Sequence, residues 1–188
     1  MYDQDDFYQP RWYAVRTRSN HEKTVMQSLS ARDVPCVLAT YETLSTWKDR
    51  KVLLEKPLFP GYIFVRFSAE AKTTVLTSPG VVQLLCRDAV HDAINSKVVD
   101  LFSQKSLLHG ALPEPSLPAG CRVTIVRGSF AGVEGVISEL RGGHRLVVLI
   151  PSIVRAFSVQ VDLADVRESS TLHVPAAIAA ASHYRACI

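Results

Sequence analysis

The chain has 188 residues, of which 47% are hydrophobic and 21% charged, which is enough apolar material for one globular domain or two small ones. Its longest apolar runs fall far short of the roughly 20 residues that cross a bilayer, so the sequence predicts no membrane span. The formal net charge of +3 is too small for a protein that coats nucleic acid by bulk electrostatics, and any nucleic-acid contact should be local.

The sequence predicts neither a secretory leader nor a metal centre. Residues 1–10 are an acidic extension without the basic flank and apolar stretch of a signal peptide, which favours a cytoplasmic protein. The four cysteines are widely spaced, with no Cys-x-x-Cys pair and no histidine at metal-ligand spacing. We therefore expect buried structural thiols and no metal or other cofactor. The cysteines are Cys36, Cys86, Cys121 and Cys187.

A proline-rich segment divides the chain in two. Residues 109–119 contain three prolines, which forbid a continuing helix and leave few apolar groups to bury. We interpret this segment as a linker between a first domain at residues 11–108 and a second domain at residues 120–167. A tail at residues 168–188 follows, and its sequence indicates no function.

The first domain opens on a strand and a helix. Residues 11–18 are rich in aromatic and β-branched side chains and predict a strand. Ser19 and Glu22 have the spacing of a capping box, which predicts the start of a helix that runs to about Arg32. Residues 34–47 are expected to be extended, with residues 48–51 as the tip of a hairpin that returns through residues 52–54.

The rest of the first domain continues with alternating strands and helices. Residues 62–67 follow a turn at Pro60 and Gly61 and are apolar on both faces, so they predict a central strand. A short helix at residues 69–77, a strand at residues 81–86 and a helix at residues 94–107 complete the domain. This order predicts an α+β fold, an antiparallel sheet flanked by helices.

The second domain has only strand signals. Short β-branched runs lie at residues 123–126, 135–137, 146–150 and 157–161 and around Val166, with glycine turns between them. The pair Gly142 and Gly143 suits a tight hairpin. This spacing predicts a small all-β barrel.

Three motifs, in this order, are similar to those of the NusG family of transcription factors. They are WYAV at residues 12–15, LFPGYIFV at residues 58–65 and GCRVTIVRGSFAGVEG at residues 120–135, the last of which resembles the family's KOW motif. The resemblance spans residues 11–167. It implies an N-terminal NGN domain, with its antiparallel sheet and helices, followed by a small KOW or SH3-like barrel.

The resemblance also implies that the first domain binds RNA polymerase. In the family, an aromatic patch docks on the clamp helices of the largest subunit, and a second contact reaches the gate loop of the second-largest subunit, which suppresses pausing. Aromatic side chains suit such an anchor because they bury large, rigid areas, although on a strand they are more commonly core. The matching positions are Phe59, Pro60, Tyr62 and Phe64 for the patch, and Lys72, Thr73 and Thr74 for the gate loop.

A basic cluster lies where the first predicted strand meets the first predicted helix. In specialised relatives such as RfaH, the matching region touches the non-template DNA strand, and cationic groups beside a helix start are well placed for phosphate. A solvated surface face is the alternative interpretation. The cluster consists of Arg16, Arg18, His21 and Lys23.

For the second domain, the resemblance implies a partner-binding edge at Phe130, Ile153 and Arg155. In NusG this edge binds the termination factor Rho or a small-subunit ribosomal protein. Where NusG has Ile-Phe-Gly-Arg, this chain has Ser-Ile-Val-Arg at residues 152–155. The departure argues against Rho binding and favours a specialised antiterminator, RfaH-like or UpxY-like, over a housekeeping NusG.

RfaH is also known for a barrel that refolds into a helical hairpin. Here Gly142, Gly143 and Pro151 interrupt the stretch that would have to be helical, and proline costs about 3 kcal/mol in a helix interior. We therefore expect a barrel that keeps its strands.

Two other classes of protein fit the sequence less well. An enzyme is disfavoured because no Ser/His/Asp order, phosphate-binding glycine loop or metal-ligand spacing stands out. A KOW-type ribosomal or RNA-binding protein would need basic stacking platforms rather than the apolar segment at residues 58–65. We expect a monomeric elongation factor that binds RNA polymerase, promotes antitermination and recruits a second partner through its KOW domain.

Overall fold

The computed structural model describes residues 9–47, 50–86, 93–104, 108, 110–114, 121–140 and 143–169. These residues group into two compact units. The first draws on Met1–Thr40 and Phe59–Gln104, and the second on Tyr41–Leu58 and Lys105–Ile188. None of the helices in the described ranges is long and apolar enough to cross a bilayer.

The first unit is built on a four-stranded sheet. Its strands are β1 (Arg11–Thr17), β2 (Cys36–Val37), β5 (Tyr62–Phe67) and β6 (Val81–Leu85), and its helices are α1 (Glu22–Ser30), α2 (Lys72–Leu76) and α3 (Ser96–Ser103). All neighbouring strands are antiparallel, in the order β2-β5-β1-β6. β5 lies between two neighbours, so the predicted central strand is confirmed.

The two faces of this sheet bury different sets of side chains. On one face, Tyr13 and Val15 of β1 and Ile63, Val65 and Phe67 of β5 belong to a core that also includes side chains of both α1 and α2. Those helical residues are Val25, Leu29 and Val75. Because side chains alternate along a strand, Phe64 points to the opposite face, where its ring stacks on Phe102 of α3 at 4.9 Å. The first unit therefore has three layers, with α1 and α2 on one side of the sheet and α3 on the other.

The predicted capping box at the start of α1 is wrong. The N-cap residue is His21, and no side chain caps the helix. Glu22 instead accepts a hydrogen bond from the backbone amide of Gly61. Its carboxylate therefore makes a tertiary contact and does not cap the helix. The helix ends at Ser30, before the predicted Arg32, because Asp33 adopts a positive φ of 56° and turns the chain away.

α3 is shorter than the helix predicted at residues 94–107. Ile94 forms a bridge with Trp12 of β1, so the chain there is extended. The helix starts after Asn95, whose side chain accepts a hydrogen bond from the amide of Lys97 at 3.0 Å. A tertiary pairing and a side-chain cap thus fix its start, and residues 105–107 lie outside the described ranges.

The second unit is all β. The predicted hairpin is a separate two-stranded sheet of β3 (Thr40–Trp47) and β4 (Arg50–Pro57), whose tip at residues 48–49 lies outside the described ranges. A six-stranded antiparallel sheet follows, made of β7 (Leu112–Glu114), β8 (Cys121–Ile125), β9 (Glu134–Leu140), β10 (Gly143–Ile150), β11 (Arg155–Val161) and β12 (Val166–Glu168). Its order is β12-β8-β9-β10-β11-β7. The predicted succession of an α+β domain and an all-β domain is confirmed.

One strand of the second unit comes from the segment predicted as a linker. β7 pairs with β11, and Leu108 and Ala111 just before it are buried. Local composition indicates a linker here because three prolines lie close together, but it carries no information on a partner strand more than 40 residues away. The boundaries predicted for the domains, the linker and the tail otherwise stay predictions.

Candidate functional site

One end of the first unit's sheet carries an open row of side chains. Tyr62 on β5, Arg16 on β1 and Gln83 on β6 are direct cross-strand partners, so their side chains lie on the same face. Tyr62 is half-buried, whereas Arg16 and Gln83 are exposed. Pro60, in the turn before β5, is also exposed. We call these four residues the open row.

The next aromatic side chains on the same face are buried. Phe64 is fully buried and Phe59 is only 3% exposed. Their rings lie 5.8 Å apart, and the Phe102 ring of α3 lies 5.8 Å from Phe59 and 4.9 Å from Phe64. The predicted aromatic patch is therefore divided, because Pro60 and Tyr62 are accessible while Phe59 and Phe64 are packed with α3.

The turn that presents Pro60 and Tyr62 is tied to the junction of β1 and α1. Gly61 has a φ of 82°, a backbone conformation that favours glycine. Its carbonyl oxygen accepts from the amide of Thr17 at 2.8 Å, and its own amide donates to Oε1 of Glu22 at 2.8 Å. Glu22 is 6% exposed, so this charge-assisted hydrogen bond is largely shielded from water. The turn is thus held through both its donor and its acceptor.

The basic cluster borders the open row. Arg16 belongs to both, and Arg18, His21 and Lys23 are all exposed at the β1–α1 junction. The amide of Arg18 donates to the carbonyl oxygen of Gly80 at 2.9 Å, which fixes the backbone that carries the cluster. The four predicted basic residues are therefore all accessible along the short stretch of chain that joins β1 to α1.

The predicted gate-loop residues lie on the other side of the sheet. Lys72, Thr73 and Thr74 form the first turn of α2, with Lys72 and Thr73 exposed and Thr74 half-buried. The Thr74 carbonyl oxygen accepts from Nη1 of Arg32 at 3.4 Å. Since α2 packs on the face opposite to Tyr62, the two predicted polymerase contacts are separate surfaces of one compact unit.

In the second unit, the predicted partner-binding residues differ in accessibility. Phe130 is half-buried in the turn between β8 and β9, Ile153 is 6% exposed, and Arg155 is exposed at the start of β11. Val154, between the last two, is 61% exposed and has a φ of 51°. A β-branched residue rarely adopts this left-handed conformation, and the resemblance to NusG implies a glycine at this position. Val154 was not predicted as a site residue, although that departure was its signal.

The described cysteines differ in exposure. Cys36 and Cys86 are half-buried, but Cys121 is exposed, so the expectation of buried thiols is wrong for Cys121. Cys187 lies outside the described residues. Burial raises the pKa of the Cys36 thiol, and hydrogen bonds with Ser30 oppose that shift. Cys36 therefore stays protonated at neutral pH and is a poor nucleophile. Within the described ranges, no group of three histidine, cysteine, aspartate or glutamate side chains could hold a metal ion.

The family model "Transcription termination factor nusG" matches residues 10–103, which is half of the chain. The chain belongs to the NusG family. NusG-family proteins are factors of transcription elongation, termination and antitermination and not enzymes, and they contain NGN and KOW domains. The predicted family and the predicted absence of enzymatic activity are confirmed by this membership.

This chain is similar to two relatives and to one solved structure, each over nearly the same share of its length. It is 26% identical to "Transcription termination/antitermination protein NusG" of Pseudomonas aeruginosa over 84% of its own length and 98% of the relative's. The protein of the same name from Lactococcus lactis is 27% identical, over 84% of this chain and 92% of that one. A structure titled "Domain interaction in Thermotoga maritima NusG" is 22% identical with a TM-score of 0.48, covering 85% of this chain and 97% of that chain.

Proposed function

We propose that this NusG-family protein binds RNA polymerase during elongation, suppresses pausing and promotes antitermination. The open row is the observation that carries the proposal. A half-buried tyrosine and an exposed proline stand on a turn fixed by Glu22 and Thr17, next to the cation Arg16. Such a rigid aromatic anchor with a polar neighbour is typical of the centre of a protein interface. Pro60 and Tyr62 would dock on the clamp helices, while Phe59 and Phe64 would support them from below.

Lys72, Thr73 and Thr74 would make the second contact, with the gate loop. Their position on α2, away from the open row, suits a factor that bridges two sides of a cleft. Because both surfaces belong to one compact unit, binding at one fixes the position of the other without a further ordering cost.

Replacing Tyr62 by alanine should reduce affinity for elongating RNA polymerase by about 30-fold or more, because an interface anchor typically contributes about 2 kcal/mol or more. Tyr41→Ala, which removes a half-buried tyrosine from β3, is the matched control and should leave the affinity unchanged. Fluorescence titration of the labelled full chain with purified elongation complexes gives the dissociation constants. Equal affinities for wild type and Tyr62→Ala would refute docking through the open row.

The basic cluster would contact the non-template DNA strand. The Arg18→Ala, Lys23→Ala double variant should bind a paused elongation complex about tenfold more weakly at low salt, with the difference shrinking at high salt because phosphate contacts release counterions. Arg127→Ala with Arg167→Ala removes two exposed cations from the second unit as a control for net charge. An unchanged affinity of the Arg18, Lys23 variant would leave the cluster as a solvated face.

The KOW domain would recruit a second partner through Phe130, Ile153 and Arg155. The strained and exposed Val154 in place of the family's glycine supports a specialised antiterminator of the RfaH-like or UpxY-like kind, with a small-subunit ribosomal protein as partner rather than Rho. The alternative is a housekeeping NusG that also binds Rho. Stoichiometric capture of purified Rho by the full chain would favour that alternative.

A KOW-type ribosomal protein is no longer a competing proposal, because the family match lies in residues 10–103.

A further inference from the structure

The edge of β11 is occupied by the chain's own segment. β7 pairs with it through Leu112 to Ser158, Pro113 to Phe157 and Glu114 to Ala156. On the opposite side, β10 pairs with β11 along all seven of its residues. Among the residues that the structure describes, β7 pairs with three of the seven positions on its side.

The proline in the middle of β7 identifies the backbone groups that hold it. Pro113 has no amide hydrogen, so its pair with Phe157 is a non-hydrogen-bonded pair. The hydrogen-bonded pairs consequently fall at Leu112 with Ser158 and at Glu114 with Ala156. Leu112 is 48% exposed, so its side chain adds little apolar burial. Within β7 itself the pairing is therefore limited to two backbone pairs on a three-residue strand, while Leu108 and Ala111 just before it are buried.

Arg145 of β10 holds the same segment to β11 through hydrogen bonds. Its Nε donates to Oγ of Ser158 at 2.9 Å, and its Nη2 donates to the carbonyl oxygens of Ser158 at 2.9 Å and of Gly110 at 2.7 Å. Ser158 is fully buried, so the guanidinium is anchored on β11. The bond to Gly110 engages a backbone carbonyl, a group that any extended chain provides. The Arg145 contact therefore recognises the main chain of the segment and not a particular side chain.

We propose that the edge of β11 is a strand-addition site, which an extended peptide segment of a partner protein fills after displacing β7. This inference deepens the proposed recruitment of a partner by the KOW domain and rests on it. β7 already occupies the site as an extended chain, and in the described ranges, which exclude residues 109 and 115–120, it pairs with three of the seven edge positions. A longer segment would gain pairs that β7 does not make.

The residues just before the paired positions of β11 indicate which side chains a partner segment should carry. Beyond the position of Glu114, an incoming strand would run past Arg155 and then Val154, both of which are exposed. An acidic residue followed by an apolar one complements this pair. Val154 is 61% exposed and adopts a left-handed backbone conformation with a φ of 51°.

Replacing Leu112 by proline tests whether β7 can be released. Proline removes the amide that bonds to Ser158, whereas the matched control Leu112→Ala shortens the side chain and keeps the amide. In hydrogen exchange of the full chain, the amides of Ala156 and Ser158 should exchange about tenfold faster or more in Leu112→Pro and at the wild-type rate in Leu112→Ala. Unchanged exchange in Leu112→Pro would mean that β7 does not protect this edge, and the proposal would fall.

The strand-addition site itself is tested with a defined probe, a labelled synthetic peptide of residues 108–116 with blocked termini. The tethered β7 competes at a high effective concentration in wild type, so the peptide should bind the full-length Leu112→Pro chain at least about tenfold more tightly than wild type or Leu112→Ala. Equal binding to all three chains, or to none, overturns the proposal. Neither measurement includes polymerase or a natural partner, so failure of the proposed function would be seen separately, in the Tyr62→Ala titration for polymerase docking and in the capture experiment with the full chain for the KOW partner.

Discussion

Replacing Phe64 by alanine should unfold the first unit far more readily than any change in the open row. Phe64 is fully buried between Phe59 and Phe102, and a cavity left by a buried phenylalanine typically costs about 3–5 kcal/mol. A loss of that size is a large fraction of the roughly 5–15 kcal/mol by which domains are typically stable. Tyr62→Ala, two residues earlier on the same face of β5, is the matched control, and should cost about 1 kcal/mol because its ring is only half-buried.

Urea unfolding followed by tryptophan fluorescence measures this difference. The chain has two tryptophans, so a Trp47→Phe background leaves Trp12 of β1 as the only reporter, and Trp12 lies in the first unit. The two variants should differ in both measurements. Phe64→Ala should lower the urea midpoint several times more than Tyr62→Ala, and Tyr62→Ala should lose polymerase affinity. If Phe64→Ala kept the wild-type midpoint and bound polymerase poorly, Phe64 would be a docking residue and its packing against α3 would not be structural.

Replacing Gly135 by alanine should disrupt the sheet of the second unit. A Cβ at this position would overlap the backbone carbonyl oxygen of Val147 on β10 and lie 2.9 Å from Cδ1 of Leu146. The side chain can adjust but the paired backbone cannot, so β9 and β10 would have to separate. Overpacking in a buried site typically costs about 1–3 kcal/mol, and a clash with backbone belongs at the upper end.

The neighbouring Glu134→Ala variant is the control for Gly135→Ala. Glu134 is exposed on the same strand, and its loss should change stability by about 0.5 kcal/mol or less. Hydrogen exchange of the β9 and β10 backbone amides locates the effect in the second unit, and urea unfolding gives its size. Wild-type protection of both strands in Gly135→Ala would show that the sheet accommodates a methyl group there, contrary to the geometry.

Whether a segment forms a strand or a helix was predictable wherever its apolar residues recur at a regular spacing. The central strand β5 and the apolar stripe of α1 follow from the spacing of Ile63, Val65, Val25 and Leu29. What could not be predicted depends on partners distant in the chain. Glu22 has the spacing of a helix cap, but Gly61, 39 residues later, offers it an amide inside the fold. No local pattern distinguishes these two uses of one carboxylate.

The candidate site was predictable to a similar extent. The segment at residues 58–65 identified the right turn, but only the position of Phe102 shows that Phe59 and Phe64 are covered while Pro60 and Tyr62 are not. Gln83 joins the open row through its pairing with Arg16, and β7 joins the second unit through its pairing with β11. Each of these pairings links segments more than 40 residues apart, and a single sequence carries no signal for them.

The hydrogen bonds that fix Gly61 to Glu22 and Thr17 bear on the speed of recruitment. A docking turn that is already rigid needs no folding step on contact, so an encounter with the right orientation is immediately productive. Association with the proposed polymerase target should then fall in the range typical of oriented protein docking, about 10⁵–10⁷ M⁻¹s⁻¹, and should not be slowed by a wait for a rare conformer.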